Sequence, residues 1–306
     1  MALLKNPLLF FLLFSVCNFT HASFKELKDF GENPGELTAH IYTPEHSYTA
    51  VVVLLHGCIQ NGVELAKQSG LFGLAQENNF ALLIPQQSTN NNAKACFNWF
   101  SSQDTNVNQG ESLSLKNMVL SVSSQQPNTK TYIVGLSAGA AMSTMMLVNY
   151  PNLFTAGAIV SGIPFPCAKD LIQAISCMQN GPSENGAQLA KQALALSSTQ
   201  ATWPSLSIWT GVEDKIVHPK NAKTLANQWS IMTNINSPPT TIKHNGYTRT
   251  TWQGSNKTSI ELFEIELMGH GLAVNPNLSN GGNIGPYLLK APLSTMIAIT
   301  EYWKLK

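Results

Sequence analysis

A serine stands between two glycines where an apolar run changes its pattern. The segment "IVGLSAGAAM" (133–142) contains the motif G-x-S-x-G, with Ser137 at its centre. A strand-like run precedes the motif and a helix-like run follows it, which is the context of a nucleophile elbow. The small residues around the serine allow strand and helix to approach each other closely. The motif therefore predicts Ser137 as a nucleophile that is held clear of its own backbone.

A serine hydroxyl is a weak nucleophile, so it needs a general base and an acid that orients the base. Behind such an elbow the chain order is serine, then aspartate or glutamate, then histidine. The sequence contains four aspartates: Asp29, Asp104, Asp170 and Asp214. Asp214 follows the strand-like "SLSIWTG", whereas Asp170 lies in a loop between two cysteines. We predict Asp214 as the acid, with the neighbouring Glu213 as a weaker alternative.

Three histidines follow the serine: His218, His244 and His270. His270 lies between two glycines in "MGHGLAV", directly after the strand-like "SIELFEIE", and glycines give a loop freedom to carry a side chain back over the nucleophile. His244 falls in a polar stretch that indicates solvated surface. His218 precedes a proline at a helix start, where a rim or structural role is expected. We predict His270 as the general base.

Acyl transfer also needs N–H donors for the tetrahedral oxyanion. One expected donor is the backbone N–H of Ala138, the residue after the nucleophile. The other is expected from the loop after "AVVVLLHG", where the N–H of Cys58 is the candidate. We interpret His56 in that loop as a structural residue that holds it. This chemistry acts on an ester substrate and needs no metal and no organic cofactor.

The elements that must position these residues alternate between strand and helix. Strand patterns cover 50–57, 80–85, 131–136, 154–162, 205–211 and 259–266, and helical patterns cover 63–79, 111–125, 137–150, 220–232 and 293–303. This rhythm predicts an α/β protein with a doubly wound, mostly parallel sheet and helices on both faces. The segment 36–44 is expected to add antiparallel edge strands. In such sheets function lies beyond the carboxyl ends of the strands, where the candidate residues are found.

Composition limits the partners and indicates export. Charged residues make up 11% of the 306 residues, the net charge is +1, and no basic block occurs, which argues against nucleic acid and anionic membrane as partners. Lys5, a short apolar run and Ala22 predict a signal peptide over 1–22 that is cleaved before a single catalytic domain at 23–306. We therefore expect a secreted protein, extracellular or periplasmic, without a membrane span.

Cysteine usage fits an exported protein. Cleavage would remove Cys17 and leave four cysteines, an even number that indicates two disulfides with three possible pairings. We favour Cys167–Cys177, which closes a short loop, and Cys58–Cys96, which would tether the loop of the oxyanion donor. Buried free thiols are the alternative.

Longer segments carry a family resemblance. They are "LLHGCIQN", "CFNWF", "GLSAGAAM", "WPSLSIWTGVEDKIVHPKNA" and "MGHGLAVNP". From about residue 50 onward the chain resembles the secreted polyhydroxybutyrate-depolymerase-type esterases. The resemblance implies an α/β-hydrolase fold, the triad Ser137, Asp214 and His270, and Cys58 near the oxyanion site. It also implies that Phe97 and Trp99 of "CFNWF" lie close to the substrate, whereas Trp209 is expected in the core.

The resemblance implies a secreted serine esterase that hydrolyses 3-hydroxybutyrate oligoesters or polyester. Depolymerases of insoluble polymer append linker and polymer-adsorbing domains, and we see neither in this sequence, so soluble oligomers or amorphous material are the expected substrate rather than crystalline polyester. A carbohydrate esterase that removes acetyl or feruloyl groups is the main alternative. A serine peptidase and a non-catalytic binding protein on a hydrolase scaffold are further alternatives.

Overall fold

Parallel strands with continuous apolar sequences form the centre of the sheet. The structure, a computed structural model, describes residues 22–197, 202–254 and 258–305. The predicted signal peptide lies outside the described residues, apart from Ala22, and so does Cys17. The strands are β1 (Ser23–Glu26), β2 (Thr38–Thr43), β3 (Ala50–Leu55), β4 (Ala81–Gln86), β5 (Lys130–Leu136), β6 (Ala156–Val160), β7 (Ser205–Gly211), β8 (Thr240–His244), β9 (Tyr247–Gln253), β10 (Ser259–Ile265), β11 (Leu272–Val274) and β12 (Leu288–Lys290).

Helices follow most of the parallel strands. They are α1 (Gly62–Gln68), α2 (Leu71–Glu77), α3 (Ser102–Thr105), α4 (Gly110–Ser123), α5 (Ala138–Asn149), α6 (Leu171–Asn180), α7 (Gly186–Leu196), α8 (Lys220–Met232) and α9 (Thr295–Tyr302), with a 3₁₀ turn at Pro151–Leu153. No helix in the described ranges is both long enough and apolar enough to cross a bilayer.

Within the described residues the main sheet has the order β1-β2-β4-β3-β5-β6-β7-β10-β9-β8. The six strands from β4 to β10 in this order run parallel, and β1, β2, β9 and β8 extend the two edges in antiparallel pairing. A parallel centre requires a crossover between strands, and these crossovers place helices on both faces. The predicted α/β class and doubly wound, mostly parallel sheet are confirmed.

Alternation along the central strands divides the core into two layers. In β3, Val51 and Val53 face one layer with α4, α5 and α8, whereas Val52 and Leu54 face the other layer with α1, α2 and α9. Side chains that alternate in this way are buried on both faces, which explains the unbroken apolar sequence of the strand. Trp209 of β7 is fully buried and stacks on a phenylalanine of β10, so its predicted place in the core is confirmed.

Some elements differ from the sequence patterns. The helix expected over 63–79 is divided into α1 and α2, because Gly70 adopts a left-handed conformation with φ of 86° that ends the first helix. The β8–β9 hairpin was not predicted, although Asn245-Gly246 between alternating residues is a hairpin signal. The helices α6 and α7 between β6 and β7 were also missed.

Candidate active site

The nucleophile elbow lies where β5 ends and α5 begins. Ser137 has φ of 57° and ψ of −119°, an uncommon conformation for a residue with a side chain. A Cβ atom at Gly135 would overlap the carbonyl oxygen of Gly139, and a Cβ atom at Gly139 would overlap the carbonyl oxygen of Leu55. These close approaches explain why both positions are glycine. They hold Ser137 on a sharp turn at the carboxyl edge of the sheet.

Ser137, His270 and Asp214 form a continuous chain of hydrogen bonds. His270 Nδ1 lies 2.8 Å from Asp214 Oδ2, and His270 Nε2 lies 2.9 Å from Ser137 Oγ. Because a carboxylate can only accept, Nδ1 carries the proton and donates to Asp214. Nε2 is therefore left to accept from the serine hydroxyl. Three side chains from the ends of β5, β7 and β10 thus meet in the order that proton abstraction requires.

The carboxylate of Asp214 is buried and fixed by the backbone. Its Oδ1 accepts hydrogen bonds from the N–H groups of Ile216 at 2.9 Å and Val217 at 2.8 Å. These bonds leave Oδ2 directed at His270. The other acidic candidates lie elsewhere: Glu213 is exposed, and Asp170 is exposed and caps the N-terminus of α6 by accepting from a backbone N–H.

The other two histidines that follow the serine do not join this chain. His218 is exposed, and its Nδ1 accepts a hydrogen bond from the backbone N–H of Lys220. His244 is exposed at the end of β8 and stacks on Tyr247. The exposure of His244 agrees with the solvated surface expected from the sequence, and the local backbone contact of His218 agrees with the rim or structural role expected there.

The loop after β3 presents a peptide to the serine. The carbonyl oxygen of Gly57 accepts from His56 Nδ1 at 2.7 Å and from the N–H of Gln60 at 3.3 Å. This carbonyl belongs to the same peptide as the N–H of Cys58, so the two bonds fix the direction of that N–H. A Cβ atom added to Gly57 would lie only 3.3 Å from the Cβ of Ser137. Cys58 therefore follows a peptide that lies against the nucleophile.

The predicted oxyanion donors are the backbone N–H groups of Cys58 and Ala138. Among the described residues the N–H of Cys58 makes no hydrogen bond. Ala138 is the first residue of α5, and the first N–H groups of a helix have no partner within the helix. The two predicted oxyanion donors thus have hydrogen-bonding capacity left over, one in the residue after Ser137 and the other in a residue that lines the same cavity as Ser137.

His56 is a buried residue that holds this loop, as predicted. Its Nε2 accepts a hydrogen bond from the N–H of Gln87 at 3.1 Å, while Nδ1 donates to Gly57. Burial lowers the pKa of His56, which keeps the imidazole neutral and preserves one donor and one acceptor. The ring of Phe97 packs against it with 5.0 Å between centroids.

Both expected disulfides are present: Cys58–Cys96 and Cys167–Cys177. The first connects the loop after β3 (56–61), called the oxyanion loop below because it contains the predicted donor Cys58, to the segment that contains "CFNWF". The N–H of Ile59 also donates to the carbonyl oxygen of Lys94 at 2.7 Å, which ties the same two segments together through the backbone. The loop after β3 is therefore fixed by covalent and hydrogen bonds.

The buried carboxyl group of Glu111 forms hydrogen bonds with the "CFNWF" segment. Glu111, at the start of α4, is 1% exposed and accepts from the N–H of Asn98 at 3.0 Å, from Asn98 Nδ2 at 2.8 Å and from Gln87 Nε2 at 2.5 Å. Burial, with a smaller contribution from the nearby Asp104, raises the pKa of Glu111 to about 8 against the opposing effect of these hydrogen bonds. Gln87 links this cluster to His56.

A cavity of about 360 Å³ opens beside Ser137. Its walls are mostly apolar, and its lining residues are Gly57, Cys58, Ile59, Gln60, Lys94, Cys96, Leu136, Ser137, Met178, Ile216, His270 and Tyr287. An apolar cleft with a few polar groups is typical of a small-molecule site. The cavity therefore offers a place for the part of a substrate next to the reacting carbonyl.

Phe97 and Trp99, which the resemblance placed close to the substrate, are absent from this lining. Phe97 is fully buried and Trp99 is 9% exposed. Their rings pack into the core beneath the oxyanion loop, so Phe97 contacts the supporting imidazole of His56 and Trp99 packs edge-on against Phe100. The neighbours Lys94 and Cys96 reach the cavity instead.

Several lining residues were not identified from the sequence. Met178 comes from the unpredicted helix α6, which docks through a hydrogen bond from the N–H of His218 to the carbonyl oxygen of Met178. Tyr287 lies edge-on to His270 with 6.0 Å between ring centroids, and its φ of 59° is uncommon for an aromatic residue. No local sequence signal marks either residue. Gln60, by contrast, belongs to the "HGCIQN" segment that carries the family resemblance.

Clusters of three or more His, Cys, Asp or Glu residues in metal-binding arrangement do not occur in the described ranges. The polar groups that converge on Ser137 are an imidazole, a carboxylate and backbone N–H groups. These are the groups of serine-based acyl transfer.

The sheet order, the elbow at the end of β5 and the hydrogen-bonded side chains after β7 and β10 define an α/β-hydrolase. The family model described as esterase PHB depolymerase matches residues 41–254. The chain belongs to this family, and it is a carboxylic ester hydrolase.

Relatives in this family act on different esters, judged by their names. The chain is 31% identical to poly(3-hydroxyalkanoate) depolymerase C of Paucimonas lemoignei, an alignment that covers 98% of this chain and 75% of that protein. It is 27% identical to feruloyl esterase B of Talaromyces funiculosus, over 81% of this chain and 73% of that protein. The solved structure of an acetyl xylan esterase from Aspergillus awamori superposes with a TM-score of 0.77 at 22% identity, covering 93% of this chain and 100% of that one. This last likeness shows a shared fold.

Proposed function

We propose that the protein is a secreted serine esterase that hydrolyses short 3-hydroxybutyrate oligoesters through an acyl-enzyme. The hydrogen-bonded chain from Ser137 through His270 to Asp214 is the observation that carries this proposal. Membership of an esterase family speaks against the alternative of a non-catalytic binding protein.

The mechanism follows from the positions of the protons. Ser137 Oγ attacks the ester carbonyl carbon while His270 Nε2 takes the hydroxyl proton, and Asp214 stabilises the imidazolium that forms. The N–H groups of Cys58 and Ala138 stabilise the negative charge on the carbonyl oxygen. Collapse of the intermediate breaks the bond to the alcohol oxygen, which receives the proton from His270. Water then attacks the acyl-enzyme by the same route and releases the acid.

The choice of oligoesters has two supports. One is the similarity to poly(3-hydroxyalkanoate) depolymerase C over nearly the whole chain. The other is the cavity, whose apolar lining from Ile59, Met178 and Ile216 suits the methyl-branched carbon chain of a hydroxybutyrate unit. Ile59 and Ile216 are 63% and 43% exposed, so the apolar surface continues out of the cavity and can contact neighbouring units.

A carbohydrate esterase is the second candidate. It is favoured by the similarity to feruloyl esterase B and by the fold shared with an acetyl xylan esterase. In that case the cavity would receive an acetyl or feruloyl group and the alcohol would be a sugar hydroxyl.

We propose export by a signal peptide over residues 1–22. The disulfides Cys58–Cys96 and Cys167–Cys177 fit an extracellular or periplasmic protein, because such bonds persist in oxidising compartments. N-terminal sequencing of the protein recovered from the cell exterior or periplasm tests this, and we expect it to begin at Ser23. Recovery with Met1 intact would contradict cleavage.

A substrate panel tests the proposed activity. We expect purified protein to hydrolyse 3-hydroxybutyrate trimer and short p-nitrophenyl esters faster than methyl ferulate or acetylated xylan. Faster turnover of ferulate or acetylxylan would favour the second candidate.

A serine substitution tests the mechanism. Ser137→Ala should lower kcat on the order of 10⁶-fold, as loss of a triad serine does, with an unchanged thermal unfolding midpoint. An organophosphonate should label the wild-type protein and fail to label this variant. Activity close to that of the wild type would exclude Ser137 as the nucleophile.

A further inference from the structure

The cavity beside Ser137 has an unbalanced charge. Lys94 is the one lysine or arginine among the described residues that line the cavity, and none of those residues is an aspartate or a glutamate. The carboxylate of Asp214 lies behind His270, fully buried, and does not line the cavity. A substrate in this cavity therefore meets a positive charge and no exposed negative one.

The backbone of Lys94 is fixed close to the oxyanion loop. Its N–H donates to Asn92 Oδ1 at 3.0 Å, and its carbonyl oxygen accepts from the N–H of Ile59 at 2.7 Å. Two residues later the chain is joined to Cys58 by the disulfide at Cys96. The backbone from which the flexible Lys94 side chain extends is thus held in place, because it is hydrogen-bonded directly to Ile59, the residue after Cys58.

Lys94 has no carboxylate partner among the described residues, whereas several other lysines do. Lys67, Lys223 and Lys243 each lie within 3.3 Å of a glutamate oxygen. The ammonium group of Lys94 makes neither an ion pair nor a hydrogen bond within the part of the chain that the structure describes. Its charge is available to a ligand.

Gln60 adds neutral donors to the same cavity. Its Oε1 accepts from the N–H of Gly57 at 2.8 Å, which fixes the orientation of the amide. The two hydrogens on Nε2 are left over, since this atom makes no hydrogen bond to the described residues. Gln60 is half-buried and lines the cavity together with Lys94. Both side chains can donate to an anionic oxygen.

We propose that Lys94, assisted by the amide of Gln60, binds the terminal carboxylate of a free-acid oligoester, so that Ser137 cleaves the ester bond nearest the carboxyl end. This inference rests on the proposed function. In a 3-hydroxybutyrate chain a single CH₂ group separates the last carboxylate from the carbon that bears the ester oxygen. Binding of that carboxylate therefore places the last ester bond close to the nucleophile.

The reaction at this bond is the acyl transfer described above. The Ser137 Oγ–acyl bond forms as the bond to the ester oxygen breaks, and the proton from His270 passes to that oxygen. The alcohol product of this step is then the terminal 3-hydroxybutyrate unit. Its carboxylate stays bound at Lys94 until the product dissociates. An acetyl group on a neutral sugar has no carboxylate for this subsite.

A pair of matched substrates tests the proposal. The 3-hydroxybutyrate trimer is compared with the same trimer whose terminal carboxylate is replaced by a primary amide, and kcat and KM are measured by chromatography of the products. We expect the wild type to prefer the carboxylate trimer by roughly three- to tenfold in kcat/KM, mostly through KM, as for a partly exposed ion pair. Higher salt should reduce this ratio.

Substitutions of Lys94 test whether this residue causes the preference for the carboxylate trimer. Lys94→Met should bring the ratio of the two kcat/KM values close to one, Lys94→Glu should invert it, and Lys94→Arg should retain it. Lys191→Met removes an exposed lysine of α7 away from the cavity and serves as the matched control, with the ratio of the wild type. A preference that persists in Lys94→Met, or a wild type that hydrolyses both trimers equally, overturns the subsite.

The failure of the subsite and the failure of the proposed function give different results. If the wild type hydrolyses both trimers without preference, the oligoesterase activity stands and only the role of Lys94 is wrong. If the wild type hydrolyses neither trimer but cleaves acetylated xylan or methyl ferulate, the proposed function is wrong and the subsite is excluded with it.

Discussion

His56 Nδ1 donates to the carbonyl oxygen of Gly57 at 2.7 Å, within the peptide whose N–H belongs to Cys58. A hydrogen bond to the carbonyl of an amide polarises that amide and strengthens its N–H as a donor. His56 therefore orients and polarises the proposed oxyanion donor without contacting the substrate. It is a positioning residue that acts through Gly57.

Replacing His56 should lower kcat with little effect on KM. His56→Phe keeps an aromatic ring but leaves Gly57 oxygen and Gln87 nitrogen without their partner. We expect kcat to fall on the order of tenfold or more, less than the 10²–10³-fold cost of removing an oxyanion donor itself. Steady-state kinetics on a p-nitrophenyl ester measures the division between kcat and KM.

A packing variant is the control for this prediction. Phe97→Leu loosens the contact on the same imidazole and retains both hydrogen bonds of His56. Its kcat should stay within a few-fold of the wild type after correction for any loss of folded protein. Equal losses of kcat in the two variants would show that packing alone matters at this position.

Removing the Cys58–Cys96 disulfide should affect activity as well as stability. The bond closes 38 residues and the Cys167–Cys177 bond closes 10. By chain entropy the two losses cost roughly 4 and roughly 3 kcal/mol of unfolding free energy, so their effects on stability are similar. Replacing Cys58 and Cys96 by serine should also lower kcat, because the oxyanion loop loses its tether.

The other disulfide provides the comparison. Replacing Cys167 and Cys177 by serine frees one end of α6, which carries Met178 in the cavity wall. Its effect should therefore fall on KM, with kcat close to the wild type. Equal kcat in both double variants would contradict a role of the Cys58–Cys96 bond in catalysis.

The sequence alone predicted the central sheet because its strands are buried on both faces and read as unbroken apolar runs. It predicted Ser137 from a local motif, and it predicted Asp214 and His270 because each directly follows such a strand. The cavity wall could not be predicted in this way. Met178 and Tyr287 reach the cavity through the docking of segments far apart in the chain, and no spacing of residue types records that docking.

Phe97 and Trp99 illustrate a second limit. Large aromatic residues beside a motif fit a core position and a substrate contact equally well, since both environments are apolar. The structure places Phe97 beneath His56, where its contact supports the site from inside. Only the direction of the side chain separates the two roles.

Asp214→Asn should lower kcat/KM on the order of 10⁴-fold while the fold is retained. An amide NH₂ can donate to His270 Nδ1, which favours the tautomer with the proton on Nε2. That imidazole cannot accept from Ser137. Asp170→Asn is the matched control, because Asp170 caps α6 on the surface and an asparagine also caps helices well. We expect it to retain wild-type kinetics, and comparable losses in both variants would contradict the assignment of the acid.

The buried carboxyl of Glu111 should make stability depend on pH. Burial raises the pKa of Glu111 to about 8 in the folded protein, whereas in the unfolded chain it stays near the ordinary 4.5. Between these values the unfolded chain releases the proton and the folded protein keeps it. A rise in pH therefore favours unfolding. The stabilising contribution of Glu111 is complete below about pH 4.5, decreases as pH rises, and is lost above about pH 8, with a limiting slope of about 1.4 kcal/mol per pH unit.

Denaturant unfolding of the wild type and Glu111→Gln between pH 5 and 9 measures this effect. The glutamine cannot ionise, so the free energy of unfolding of the wild type minus that of the variant should decrease from pH 5 to pH 8 and then become constant. Glu64→Gln in α1 is the control, because Glu64 is exposed and its difference from the wild type should hardly change over the same range. A constant difference for Glu111→Gln would mean that this carboxyl is already ionised at pH 5, and that the hydrogen bonds from Asn98 and Gln87 outweigh its burial.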